Sequence, residues 1–211
     1  MKIAKRTPEE ISNTLTHLAG VIFTLLSAWG LLILAYAVSW QKAMGVTFFV
    51  VGMLIMYSFS TVYHWAMPGR AKRFLRIMDH IGIYVMIACS YTPICIGVVG
   101  GWVGWTVFAL LWLTVVGGAI YKIKALGRYP RLSLLIYLVM GWSVVFIAEP
   151  VLENLSTAAL MCLLAEGLFY TSGTYFFSHD GRKHYHAIWH IFVLLGSLAH
   201  WGAVFCILKG I

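Results

Sequence analysis

The chain is predicted to be an all-α, polytopic membrane protein with seven transmembrane helices, its N-terminus cytoplasmic and its C-terminus outside. Three observations carry that prediction. Hydrophobic residues make up 61% of the 211 residues and charged ones only 10%, at a mean hydropathy of +0.87, which leaves too little polar surface for a water-soluble globule. A hydrocarbon core of about 30 Å needs roughly 20 apolar residues per helix, and seven such runs follow one another along the chain. The basic residues cluster in alternate connections between those runs.

The first run, residues 11–39, follows "MKIAKRTPEE" and contains His17. It lacks a small-residue cleavage site, which predicts a retained helix rather than a removed signal. The second, 43–66, ends with Ser60 and His64, and the third, 76–99, begins with Asp79 and His80. The fourth and fifth, 102–121 and 132–148, carry no ionisable residue suited to a site until their basic ends. The sixth, 155–177, holds the isolated Glu166, and the seventh, 186–208, holds His186, His190 and His200. Connections are short and no internal repeat is visible, so residues 1–211 are expected to form a single domain. Cys89, Cys95, Cys162 and Cys206 fall inside the runs and form no CxxC pair, which indicates packing rather than a disulfide framework or thiolate metal site.

The formal charge of +8 is distributed in a way that excludes nucleic acid as the expected partner. Lys2, Lys5 and Arg6 precede the first run, Arg70, Lys72, Arg73 and Arg76 the third, Lys122, Lys124, Arg128 and Arg131 the fifth, and Arg182 and Lys183 the seventh. Only Lys42 and Lys209 lie on the other side. Short basic loops stay cytoplasmic, so the chain is oriented N-terminus in, as a multi-pass protein of the cell inner (plasma) membrane. The basic face suits anionic headgroups, and Trp40, Trp65, Trp102 and Trp201 near the run ends fit an aromatic belt. The same orientation argues against a G-protein-coupled receptor. A retinal protein is disfavoured because Lys209 stands at the very end of the last run rather than buried within it.

Ionisable residues at membrane depth are costly and mark function or an internal partner. With alternate runs reversing direction, His64, Asp79, His186 and His190 all fall near the cytoplasmic side. Residues four apart share a helix face, so Ser60 with His64, and His186 with His190, each form a polar edge. Three histidines with an open fourth position are a catalytic zinc arrangement, in which the metal lowers the pKa of water to about 7. In that arrangement His64, His186 and His190 are the metal ligands, Asp79 holds or deprotonates the water, and Ser60 hydrogen-bonds the water or a developing oxyanion. His17 is expected to be a packing residue. His200, about 15 Å beyond His190 in a straight helix, is excluded from the ligand set. His179 and His184 belong to the basic sixth connection. Glu166 is either a protonated group, a relay element or a partner for a histidine.

These residues sit in recognisable motifs. "STVYHWAMPGRAKRFLRIMDHIGIYVMIACSYTPI" and "YHAIWHIFVLLGSLAHW", with "EEISNTLTHLAG" and "YLVMGW", strongly resemble the haemolysin III family. That family is the bacterial branch of the progestin and adipoQ receptor superfamily, which includes the adiponectin receptors. The resemblance runs from about Glu9 to Trp201. It implies a seven-helix bundle with an intramembrane zinc near the cytoplasmic face, held by His64, His186 and His190, with Asp79 at the water and Ser60 as the motif serine. It also implies lipid chemistry, since eukaryotic relatives look like lipid amidases acting on ceramide-type substrates. Two departures, "IACSYTP" and Glu166 where a glycine is usual, touch the inner cavity rather than the ligands.

The expected function is therefore a zinc-dependent hydrolase of acyl-chain lipids, cleaving an amide or ester bond, with membrane lipids as its partners. The alternative is a non-catalytic, membrane-perturbing or signalling protein in which zinc staples helices. A transporter using Glu166 and His17 as relay groups lacks the broken-helix repeat that such a mechanism uses.

Overall fold

The computed structural model describes residues 7–211. Lys2, Lys5 and Arg6, counted above toward the orientation, lie outside them. The described residues are helical almost throughout, in the order α1 (Pro8–Val38), α2 (Trp40–Trp65), α3 (Arg70–Ile94), α4 (Gly101–Ala125), α5 (Pro130–Gly141), α6 (Ala148–Asn154), α7 (Thr157–Ser178) and α8 (Tyr185–Lys209). A π-helical turn, Cys95–Val99, extends α3, and a 3-10 stretch, Trp142–Ile147, joins α5 to α6.

Six of these stretches are long and apolar enough to cross a membrane: α1, α2, Arg70–Val99, α4, Pro130–Asn154 and α8. α7 is also long, at 22 residues. Its composition is more polar, because Glu166 and the Thr171, Ser172 and Thr174 cluster interrupt the apolar run.

Local chemistry fixes the ends. The Thr7 hydroxyl accepts from the Glu10 N–H at 3.2 Å, and Pro8 opens α1 where no N–H donor is needed. Ser39 is both the end of α1 and the cap of α2, accepting from Lys42 N, so the chain reverses over a single residue. Ser156 caps α7 through the Ala159 N–H. Pro93 near the end of α3 removes one ladder donor, and the chain continues as the π-helical turn.

Neighbouring helices close a cycle in which α1 meets α2, α2 meets α3, α3 meets α5, α5 meets α7, α7 meets α8 and α8 meets α1, with α4 packed on α3. Small residues allow the closest approach, as expected where lipid removes any hydrophobic drive between helices. A Cβ built on Gly45 would stand 2.6 Å from the Cα of Pro93, and one on Gly52 would stand 2.5 Å from the Cβ of Cys89. α2 and α3 therefore pack nearly backbone to backbone.

The molecule exposes large apolar side chains on the outside and buries several polar ones among its apolar core. Leu26, Trp29, Trp102 and Phe146 are exposed. His17, His64, His190, His200, Lys122 and Ser60 are buried. Water could not stabilise that distribution, whereas a bilayer does.

Three element boundaries that bear on the site differ from the sequence expectation. α3 begins at Arg70 rather than near residue 76, so Arg70, Lys72, Arg73 and Arg76 form its first turns instead of a loop, and Asp79 stands in its third turn. The fifth run is broken by the 3-10 stretch and reaches Asn154. Lys122, counted as a loop charge, lies within α4.

Candidate metal centre

α2 and α8 bring His64, His186 and His190 together, and one ring nitrogen from each lies within 4.8 Å of the others. Ring centroids are separated by 4.6 Å for His186 and His190, and by 5.1 Å for His64 with each of them. Among the described residues this is the group of side chains able to hold a metal ion. Zinc–nitrogen bonds of about 2.0–2.1 Å in a tetrahedral site put donor atoms about 3.3 Å apart, so side-chain rotation of an ångström or so closes the set.

α1 aims two of these rings. Glu10 Oε2 lies 2.6 Å from His64 Nδ1. A carboxylate only accepts, so the hydrogen-bond network assigns the proton to Nδ1 and leaves the lone pair on Nε2. That Nε2 is buried and has no hydrogen-bond partner. His190 Nδ1 lies 3.2 Å from the carbonyl oxygen of Asn13 and 3.1 Å from Thr16 Oγ1. A carbonyl likewise only accepts, so His190 also presents Nε2. Carboxylate or carbonyl behind a histidine is the usual outer support of a metal ligand. Glu10 is in turn held by Lys72, whose Nζ donates to Oε1 at 2.5 Å. The residues therefore fit a divalent metal.

Sequence reasoning missed Glu10, Asn13 and Thr16 as supports. Glu10, Asn13 and His17 recur at three- and four-residue steps, which places them on one face of α1, and that spacing was the available signal. His17 lines the same face. It is buried, stacks on His190 at a centroid distance of 3.5 Å and 16° between planes, and meets the edge of Tyr57. It packs inside the bundle as expected, but without the hydrogen bond expected of such a residue, since neither ring nitrogen has a partner.

Asp79 of α3 lies beside Ser60 of α2, and Ser60 Oγ is buried without a hydrogen bond of ordinary geometry. Asp79, His64 and His186 line one cavity of about 560 Å³, together with Glu10, Arg76 and Tyr63. Asp79 thus shares a cavity with two of the histidines without joining their group.

Three other ionisable residues singled out in the sequence find partners outside the cluster. His200 Nδ1 pairs with Glu166 Oε2 at 2.7 Å, which answers the question of the isolated glutamate. His184 takes a left-handed backbone ahead of α8 and donates its N–H to Glu9 Oε1 at 3.0 Å. Metal content should follow this partition: His200→Ala is expected to keep the same metal per chain as wild type, measured on purified protein by mass spectrometry. Metal lost from that variant alone would place the ligand set in the wrong half of the bundle.

Comparison with known proteins agrees with the motifs. The family described as haemolysin-III related matches residues 5–201. A protein named hemolysin-3 homolog from Bacillus subtilis (strain 168) is 38% identical over 202 residues, covering 95% of this chain and 93% of that protein. Hemolysin-3 of Bacillus cereus is 36% identical over 201 residues, covering 95% and 90%. The human monocyte to macrophage differentiation factor is 31% identical over 179 residues, covering 78% and 70%. With its motifs, its membrane-type helices and this match along nearly its whole length, the chain belongs to the haemolysin III family.

Proposed function

We propose that this protein is a zinc-dependent hydrolase of acyl-chain lipids, acting on an amide or ester bond in an inner membrane that it crosses seven times as one domain. The observation that carries the reading is the histidine group with two of its rings preset by α1, sharing with Asp79 a cavity wide enough for a lipid headgroup, with Ser60 next to that aspartate. A structural zinc normally closes on four protein ligands, whereas Asp79 stands outside the group.

When bound, zinc supplies Lewis acidity toward a carbonyl and brings the pKa of water to about 7. His64, His186 and His190 hold it. Glu10 and the Asn13 carbonyl keep the first and last of those rings in the ligating tautomer. Asp79 takes a proton from the attacking water and passes it to the leaving amine or alcohol. Ser60 donates to the oxygen on which charge develops. Leu134 and Phe177, apolar members of an otherwise largely polar lining, contact the acyl chain.

The seventh crossing is α7, whose one charged group within the span, Glu166, is matched by His200 inside the bundle. The basic ends support a cytoplasmic N-terminus. A periplasm-active reporter fused after Gly210 is expected to be active, and one within residues 122–131 inactive. The reverse pattern would put the histidine group on the outer face.

The names of the two Bacillus relatives favour a second reading, in which the protein perturbs membranes or signals and the metal only staples α2 to α8. Fatty-acid release by purified protein from a panel of ceramides and phospholipids separates the two.

A further inference from the structure

The cavity beside the histidine group has a second polar end, lined by Arg76, His80, Lys122 and Ser133. Lys122 lies within the last two turns of α4 and is 3% exposed. A lysine this near a helix end ordinarily extends its ammonium to water. Here Nζ instead donates to Ser133 Oγ at 2.7 Å and lies over the rings of Tyr121 and Tyr137, at 5.5 and 5.6 Å from their centroids. A hydroxyl and two ring faces supply dipoles but no opposite charge.

Among the described residues no ion pair includes Lys122, and the charged group acting on it is a second cation, Arg76. Of the carboxylates lining the cavity, Glu10 holds His64 and Lys72, Glu9 accepts from the His184 N–H, and Asp79 lies beside Ser60 and near enough to act on Arg76; among the described residues none of these, nor Asp180, forms an ion pair with Lys122. A buried ammonium without a counter-charge is expensive, so this end of the cavity is arranged for an anion that the protein does not itself provide.

His80 adds an independent sign. Its Nδ1 is buried with no hydrogen-bond partner, and Lys122 and Arg76 are both near enough to act on its ring. Tyr137 ties the two residues together, since its ring lies under Lys122 while its hydroxyl donates to the His80 carbonyl at 3.1 Å.

We propose that Arg76, His80 and Lys122 form a subsite for the phosphate or carboxylate group of an acyl lipid. Resting on the hydrolase reading above, this makes the substrate an anionic lipid rather than a neutral ceramide. The anionic group is held at the α3 and α4 side of the cavity, and the acyl linkage faces the histidines of α2 and α8.

The test is binding, so that it stands apart from catalysis. Purified protein in detergent is titrated with dioleoyl phosphatidic acid, with dioleoylglycerol, which has the same chains and no phosphate, and with inorganic phosphate. Native mass spectrometry reads the lipids and equilibrium dialysis reads phosphate. Wild type is expected to hold phosphatidic acid about tenfold more tightly than dioleoylglycerol, the scale of a charge-assisted hydrogen bond. Lys122→Met should bring the two lipids within about twofold, and Lys122→Arg should keep most of the preference. Arg76→Gln, at an exposed position, should reduce it and serves if Lys122→Met fails to fold. Inorganic phosphate that binds wild type, competes with phosphatidic acid and is lost in Lys122→Met would support the subsite and identify its source as the free ion as well. No preference in wild type, or a preference undiminished in every variant that folds, would overturn it. A retained preference without fatty-acid release would remove the hydrolase reading and leave the subsite standing, and release without preference would do the reverse.

Discussion

Asp79→Asn is expected to keep its metal and to lose lipid hydrolysis by on the order of 10²-fold or more, the lower range for removing a general base. Asparagine preserves the size of the side chain and one accepting oxygen, so the wall beside Ser60 should stay packed. What it cannot do is take a proton. Because Asp79 lies outside the histidine group, its substitution should leave the ion in place, which separates a base from a ligand. The measurement pairs zinc content with fatty-acid release for wild type and Asp79→Asn, in detergent and in liposomes. Equal hydrolysis by the two would keep the enzyme and discard Asp79 as its base. Loss of zinc in Asp79→Asn would make the aspartate a fourth ligand and favour the staple.

His64→Ala, His186→Ala and His190→Ala should each lose the metal, since two imidazoles leave the ion with too few strong donors. A graded effect is expected one step further out. Glu10→Gln keeps an oxygen that can accept from His64 Nδ1 but removes the negative charge behind the ring, and should weaken zinc binding by about 10-fold or somewhat more, within the range for outer-shell partners. Competition against a chelator of known affinity reads this directly. An unchanged affinity in Glu10→Gln would mean that the 2.6 Å contact orients α1 without tuning the ligand.

Helix existence was legible because apolar length reports it, and the histidine edges were legible because a four-residue step fixes a shared face. The start of α3 was not, because Arg70 to Arg76 continue the helix through basic residues that hydropathy scores as a loop. Glu10 reads in sequence as an acidic residue in the first turn of a helix, a role that the helix dipole alone would justify. Only the packing of α1 against α2 and α8 shows that it supports a ligand. Lys122 was scored with its neighbours as a cytoplasmic charge, and its burial follows from the approach of Ser133 and Tyr137 on α5, a contact between helices that no spacing encodes. The pairing of Glu166 with His200 is hidden for the same reason: each was visible as a costly residue, and only the contact between α7 and α8 makes them partners.

The most direct test of the account is fatty-acid release by the wild-type protein in three states: as purified with its metal content measured, stripped with chelator, and reloaded with one zinc per chain. The account predicts release from at least one lipid of a ceramide and phospholipid panel in the first state, its loss in the second and its return in the third. A protein carrying a full zinc complement that frees no fatty acid from any lipid of the panel would contradict it.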